Sequence, residues 1–153
     1  TIYLYSSSKE LKTLPEKTIE IIKRHETILL IDDEKRVIDV TRDVLSEIGY
    51  TVIAADSGKE GIQKYMEHLD DIDLVILDMV MPGLSGSETF DYIKKINPGA
   101  KVLLSSGYSH NGEIGSLLKK GCCGFLQKPY NMDQISEKIN SIMIQEERIA
   151  KVS

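Results

Sequence analysis

Residues 28–34 read Ile28-Leu29-Leu30-Ile31-Asp32-Asp33-Glu34, four apolar residues that run without a break into three acids. A short, continuous apolar run suits a strand buried on both faces, as the strands of a parallel sheet are. Adjacent carboxylates at the end of such a strand repel one another, and burial makes each of them costly to ionise. A cation is therefore expected beside them, and the rest of the chain can be searched for its other ligands.

The same strand signal recurs downstream. Val37, Val40, Val44, Leu45 and Ile48 follow at helical spacing and stop at Gly49. Thr51–Ala55 reads as a second strand, with Ile62, Tyr65, Met66 and Leu69 marking a second helix. Leu74–Leu77 is a third strand that again runs into an acid, Asp78. Pro82-Gly83 turns the chain, and Ser85 or Ser87 caps a helix reaching about Ile96. Lys101–Leu104 and Gly124–Gln127 are the fourth and fifth strands, separated by a weaker helix over 112–120. A last helix starts at Met132 and runs to about Glu147, with Ile135, Ile139, Ile142 and Met143 on one face. Five β-α units predict an α/β fold, a doubly wound five-stranded parallel sheet with helices on both faces. In such sheets ligands bind outside the carboxyl ends of the strands.

The composition fits this class. The chain has 153 residues, 41% of them hydrophobic and 28% charged, enough for one domain with a real core. A net charge of −5 gives no basic excess, which argues against nucleic acid as a direct partner. The apolar runs are too short for a membrane span and no signal-peptide pattern is present, so a cytoplasmic location without membrane contact is expected. The two cysteines, Cys122 and Cys123, are adjacent, which favours plain packing over a disulfide framework.

The residues that follow the strands form a chemical kit. Strand one delivers Asp32 and Asp33, strand three Asp78, strand four Ser105 and Ser106, and strand five Lys128-Pro129. Hard carboxylate oxygens suit Mg²⁺, a cation that takes one or two carboxylates and keeps several waters. A carboxylate can also attack phosphorus as a nucleophile. Phosphoryl transfer mainly needs positioning and charge neutralisation, which a metal, Lys128 and the Ser106 hydroxyl could supply. Asp78 stands alone at its strand end and is the best nucleophile candidate.

With these residues in order, the chain resembles the receiver domain of two-component response regulators over residues 26–147. The resemblance rests on Leu29–Glu34, Val75–Gly86, Val102–Tyr108 and Gly124–Tyr130. It implies a flavodoxin-like (βα)5 fold and a phosphoacceptor that assists its own phosphorylation on Asp78. By the same resemblance Asp33, Asp78 and the Val80 backbone carbonyl bind Mg²⁺, and Asp32 helps through a metal-bound water. Ser106 would be the switch hydroxyl, Phe125 the aromatic that turns inward with it, and Lys128 the bridge to the acyl phosphate, next to a cis Lys128-Pro129 bond. The implied partners are a histidine kinase or a histidine phosphotransfer protein, with a homodimer through helix four, strand five and helix five. Val80 stands where some receivers carry a polar residue, which implies slow self-dephosphorylation.

Simpler readings carry less. Asp32 or Asp33 taken alone would most often be a helix cap, but Asp78, Ser106 and Lys128 in register leave capping little room. A degenerate receiver that serves only as a docking module would normally lack one member of the kit, and none is missing. His25-Glu26 superficially matches the His-Glu of a kinase helix but runs straight into strand one. No phosphate-binding glycine loop follows strand one. A haloacid-dehalogenase-like phosphatase would want a second Asp where Val80 stands.

Residues 1–25 read as a linker. Thr1–Leu4 resembles the end strand of the ATPase domain of hybrid histidine kinases, with Tyr5 in place of the usual Pro. With the missing initial Met, this points to the C-terminal receiver of a hybrid sensor kinase whose parent is membrane-anchored. The alternative is a free-standing single-domain regulator. Residues 148–153 are set down as a tail.

Overall fold

In the computed structural model the described residues are 26–107 and 111–152; the sequence readings of the first 25 residues and of Tyr108 lie outside them. Five strands, β1 (Thr27–Ile31), β2 (Thr51–Ala55), β3 (Ile72–Asp78), β4 (Val102–Ser106) and β5 (Gly124–Gln127), form one sheet. Five helices alternate with them: α1 (Lys35–Ile48), α2 (Gly58–Glu67), α3 (Gly86–Ile96), α4 (Asn111–Lys119) and α5 (Met132–Val152). All pairings are parallel and the strand order is β2-β1-β3-β4-β5, the order of the flavodoxin-like class.

Alternation along the strands sorts the apolar residues into two layers. Ile28, Leu30, Leu74, Ile76, Leu103 and Leu126 pack with Ile38 and Leu45 of α1 and with Ile135 and Ile139 of α5. Leu29, Ile31, Val75, Leu77, Val102 and Leu104 pack instead with Tyr65, Phe90, Ile93 and Leu117, from α2, α3 and α4. Both faces of the sheet are thus covered, which is why its strands read as unbroken apolar runs.

Local chemistry sets the helix ends. Gly49 closes α1 in the left-handed region, at φ 119, and donates to the carbonyls of Leu45 and Ser46. Ser85, not Ser87, caps α3: its hydroxyl accepts from Glu88 N–H while the Glu88 carboxylate accepts from Ser85 N–H. At α5, Asn131 and Gln134 make the equivalent reciprocal pair.

Some apolar positions differ from the sequence expectation. Val40, Met66 and Leu69 are exposed, and the residues that α2 buries are Gly58, against Thr89 of α3, together with Gly61 and Tyr65. Gly61 is needed there, since a Cβ would stand 2.4 Å from Ile31 Cδ1. Strand β3 starts at Ile72, ahead of the apolar run. Helix α5 continues to Val152, so residues 148–152 extend the helix rather than form a tail. No Gly or Pro interrupts that stretch. Among the described residues, no helix is long and apolar enough to cross a membrane.

Candidate functional site: an acidic cluster at the strand ends

The chain runs from β1 out to β2 and then returns past β1 to β3, so the connections after β1 and β3 leave in opposite directions and open a crevice between them. Into this crevice come the ends of β1, β3, β4 and β5. Backbone bonds carry the ladder past the strand ends: Asp32 N–H donates to Ala55, Met79 N–H to Ser105 and Lys128 N–H to Ser106. Asp32 and Asp78 are therefore held by the sheet ladder, while Asp33 lies in the bend that follows β1.

Carboxylate oxygens of Asp32, Asp33 and Asp78 lie within 4.8 Å of one another. Asp32 is fully buried, Asp78 is 3% exposed, and Asp33 faces solvent. Lys128 Nζ stands 2.6 Å from Asp32 Oδ2 and 3.4 Å from Asp78 Oδ1. The other Asp32 oxygen, Oδ1, accepts from Glu34 N–H at 2.9 Å. Glu34 is the residue that precedes α1, and it makes no side-chain cap. Asp32 thus orders the turn locally and pairs with Lys128 across the sheet, beyond what a capping residue needs.

Asp78 Oδ1 accepts from Val80 N–H at 3.3 Å, while the Val80 side chain is exposed. Ser105 and Ser106 are both buried, Ser105 in register with Asp78 and Ser106 with Gln127. Phe125 pairs with Leu104 and packs, partly buried, against the α2–α4 layer. Lys128-Pro129 is cis. Cys122 and Cys123 are free, and Cys122 is buried with its thiol toward the Gly124 carbonyl.

The electrostatics show a site short of positive charge. Burial, together with the nearby Asp32 charge, raises the Asp78 carboxyl from 3.8 to about 7, while Lys128 and the Val80 N–H pull it down and a hydrogen bond with Asp33 adds to the rise. Burial alone would lower the Lys128 ammonium. Its hydrogen bond and charge pairing with Asp32, and then Asp78, outweigh that and raise it. One ammonium among three carboxylates leaves an excess of negative charge in a low-dielectric place, and the donors are all hard oxygens. This donor set fits Mg²⁺.

Two features of the site escaped the sequence reading. Gly86 opens α3 against the backbone of the Asp78 turn: a Cβ there would lie 2.5 Å from both Asp78 O and Met79 Cα. Its sequence signal was a glycine at a helix start, where a side chain is otherwise tolerated. Thr41 of α1 meets the Tyr130 hydroxyl at 3.0 Å, across 89 residues of chain, and no local pattern could have paired them. Thr41 and Tyr130 line a cleft of about 900 Å³ that also contains Asp33, Asp78 and Lys128.

Comparison with known proteins agrees with this geometry. The sequence is 30% identical over 117 residues to the chemotaxis protein CheY of Bacillus subtilis (strain 168), covering 76% of this chain and 96% of that one. It is 31% identical over 117 residues to the sensor kinase CckA of Brucella abortus (strain 2308), covering 76% of this chain and 12% of the kinase. The fold superposes, with a TM-score of 0.75 and 25% identity, on the CheX-CheY-BeF3-Mg²⁺ complex of Borrelia burgdorferi, over 77% of this chain and 89% of that one. The profile of the response regulator receiver domain matches residues 28–140. A flavodoxin-like sheet that gathers acids from β1 and β3 and a lysine from β5, together with a profile match over most of the chain, makes this protein a member of the response regulator receiver domain family, which serves two-component signalling.

Proposed function

We propose that this receiver takes a phosphoryl group on the Asp78 carboxylate, in a Mg²⁺-dependent reaction, from the phosphohistidine of a kinase or phosphotransfer protein. One observation carries the reading: three carboxylates within 4.8 Å share a single ammonium, with the best nucleophile candidate among them buried at a strand end. Asp78 oxygen would form the new bond to phosphorus as the phosphorus–nitrogen bond breaks and its electron pair returns to the imidazole. Lys128, freed from Asp78 by a short movement, would pair with a phosphoryl oxygen, and the Ser106 hydroxyl would donate to another. Asp32, Asp33, Asp78 and the Val80 carbonyl would hold Mg²⁺, which supplies neutralisation of phosphoryl charge when bound. Phe125, packed beside Leu104, would follow Ser106 and alter the face formed by α4, β5 and α5, where a second copy or a downstream partner docks.

Intact mass after incubation with acetyl phosphate, with and without Mg²⁺, tests the reading beside Asp78→Asn. A gain of one phosphoryl group that needs both Mg²⁺ and Asp78 supports it. Uptake by Asp78→Asn at the wild-type rate would sink it.

We further read the domain as the receiver of a hybrid sensor kinase, in a parent anchored at the membrane with this segment in the cytoplasm. The Thr1–Leu4 pattern and the similarity to a sensor kinase support this reading. The similarity to CheY along nearly all of its length favours a free-standing regulator instead. The coding sequence upstream of Thr1 decides between them, since only a hybrid kinase has an ATP-binding segment there.

A further inference from the structure

The segment that carries Lys128 is held at two points. On one side the Lys128 N–H donates to the Ser106 carbonyl of β4 at 2.9 Å. On the other, Tyr130 reaches α1, where its hydroxyl meets Thr41 Oγ1 at 3.0 Å. Thr41 is 3% exposed, and the Tyr130 ring packs on the apolar layer that contains Ile38 and Leu45. Between the two points Lys128 Nζ sits on Asp32 and Asp78.

Apolar packing does not explain the two hydroxyls. A phenylalanine and a valine would fill similar space, and a buried hydroxyl is costly unless it is paired. What the pair adds is direction: it fixes where the Tyr130 ring lies along α1, and so where the chain two residues earlier enters the site. A lysine side chain has many rotamers, and holding its backbone at both ends narrows where the ammonium can go.

We infer that the Thr41–Tyr130 hydroxyl pair is a positioning device, through which α1 holds Lys128 over the reacting carboxylate. The two hydroxyls pair with each other, so the role assigned to them is positional rather than catalytic. The inference rests on the reading of Asp78 as phosphoacceptor.

The test compares the full chain with Tyr130→Phe, Thr41→Val, the double variant and Thr41→Ser. The maximal rate of phosphorylation by acetyl phosphate is measured for each, with the Mg²⁺ midpoint and the thermal midpoint. The two single variants should each slow the maximal rate about five-fold, the worth of one neutral hydrogen bond. The double variant should be no slower than either, because one bond is lost in all three. Thr41→Ser keeps the hydroxyl and should restore the rate, and the Mg²⁺ midpoint should not move. A merely structural pair would lower the thermal midpoint and leave the maximal rate within about two-fold of wild type by the same measure, which overturns the inference. Multiplied effects in the double variant also overturn it. If Tyr130→Phe does not fold, Thr41→Val against Thr41→Ser decides alone. No uptake by the wild-type chain would instead overturn the reading of Asp78, whereas wild-type uptake with unchanged variants removes only the positioning role.

Discussion

Protons and Mg²⁺ compete for Asp78, and the structure sets the pH at which they do so. Burial and the Asp32 charge raise its carboxyl to about 7 in the metal-free domain. A metal needs the ionised carboxylate, so binding displaces a proton wherever that group is still protonated. At pH 6 roughly one molecule in 11 has Asp78 ionised, and at pH 8 roughly ten in 11. The apparent Kd for Mg²⁺ should therefore tighten about ten-fold over those two pH units and level off above them. Isothermal titration of Mg²⁺ in buffers of different ionisation enthalpy gives both the Kd and the number of protons released. Near pH 6 the release should approach one proton per ion, and near pH 8 it should approach zero. Asp78→Asn should bind more weakly and lose most of the pH dependence. The same shift acts on stability. Between 3.8 and about 7 the native state holds a proton that the unfolded chain has lost, so stability falls as pH rises through that window, by at most about 4 kcal/mol without Mg²⁺. A Kd that stays flat from pH 6 to pH 8, with no proton release, would show that Asp78 is already ionised in the metal-free domain, and would refute the reasoning.

Three substitutions probe other parts of the structure. Lys128→Ala removes the ammonium that lowers the Asp78 carboxyl, so the pH at which Mg²⁺ binding tightens should move up, and acetyl phosphate labelling should slow. Gly86→Ala places a Cβ 2.5 Å from the Asp78 and Met79 backbone, and should cost about 1–3 kcal/mol in chemical denaturation. An unchanged urea midpoint would show that the close approach relaxes at no cost. Phe90→Ala empties a fully buried position in the α2–α4 layer and should cost about 3–5 kcal/mol on the same assay.

The site residues were legible because of where they sit along the chain. A strand buried on both faces reads as an apolar run, and the residue after it is then marked by contrast, as Asp32 is after Ile31 and Lys128 is one step past Gln127. That rule does not separate the site acids from every other acid. Asp56 also follows a strand, β2, and nothing local distinguishes it from Asp78. It stays exposed at the sheet edge, where its N–H bonds to the Glu60 carboxylate. Strand order makes the difference, since β2 lies outermost while β3 lies between β1 and β4. Helical spacing marked α1 and α2 as amphipathic but could not tell which apolar residues lie at the margin of the layer. Val40, Met66 and Leu69 recur at helical spacing and yet are exposed.

The sequence by itself determined the period of each element, the apolar content of each strand and the types of chemistry at the strand ends, because these are local properties of adjacent residues. The tertiary structure alone decided the convergence. Lys128 meets Asp32 across 96 residues, Tyr130 meets Thr41 across 89, and Gly86 fits against Asp78 only because α3 starts on top of that turn. Such contacts depend on the order and register of strands far apart in the chain, which the packing of both helix layers sets together.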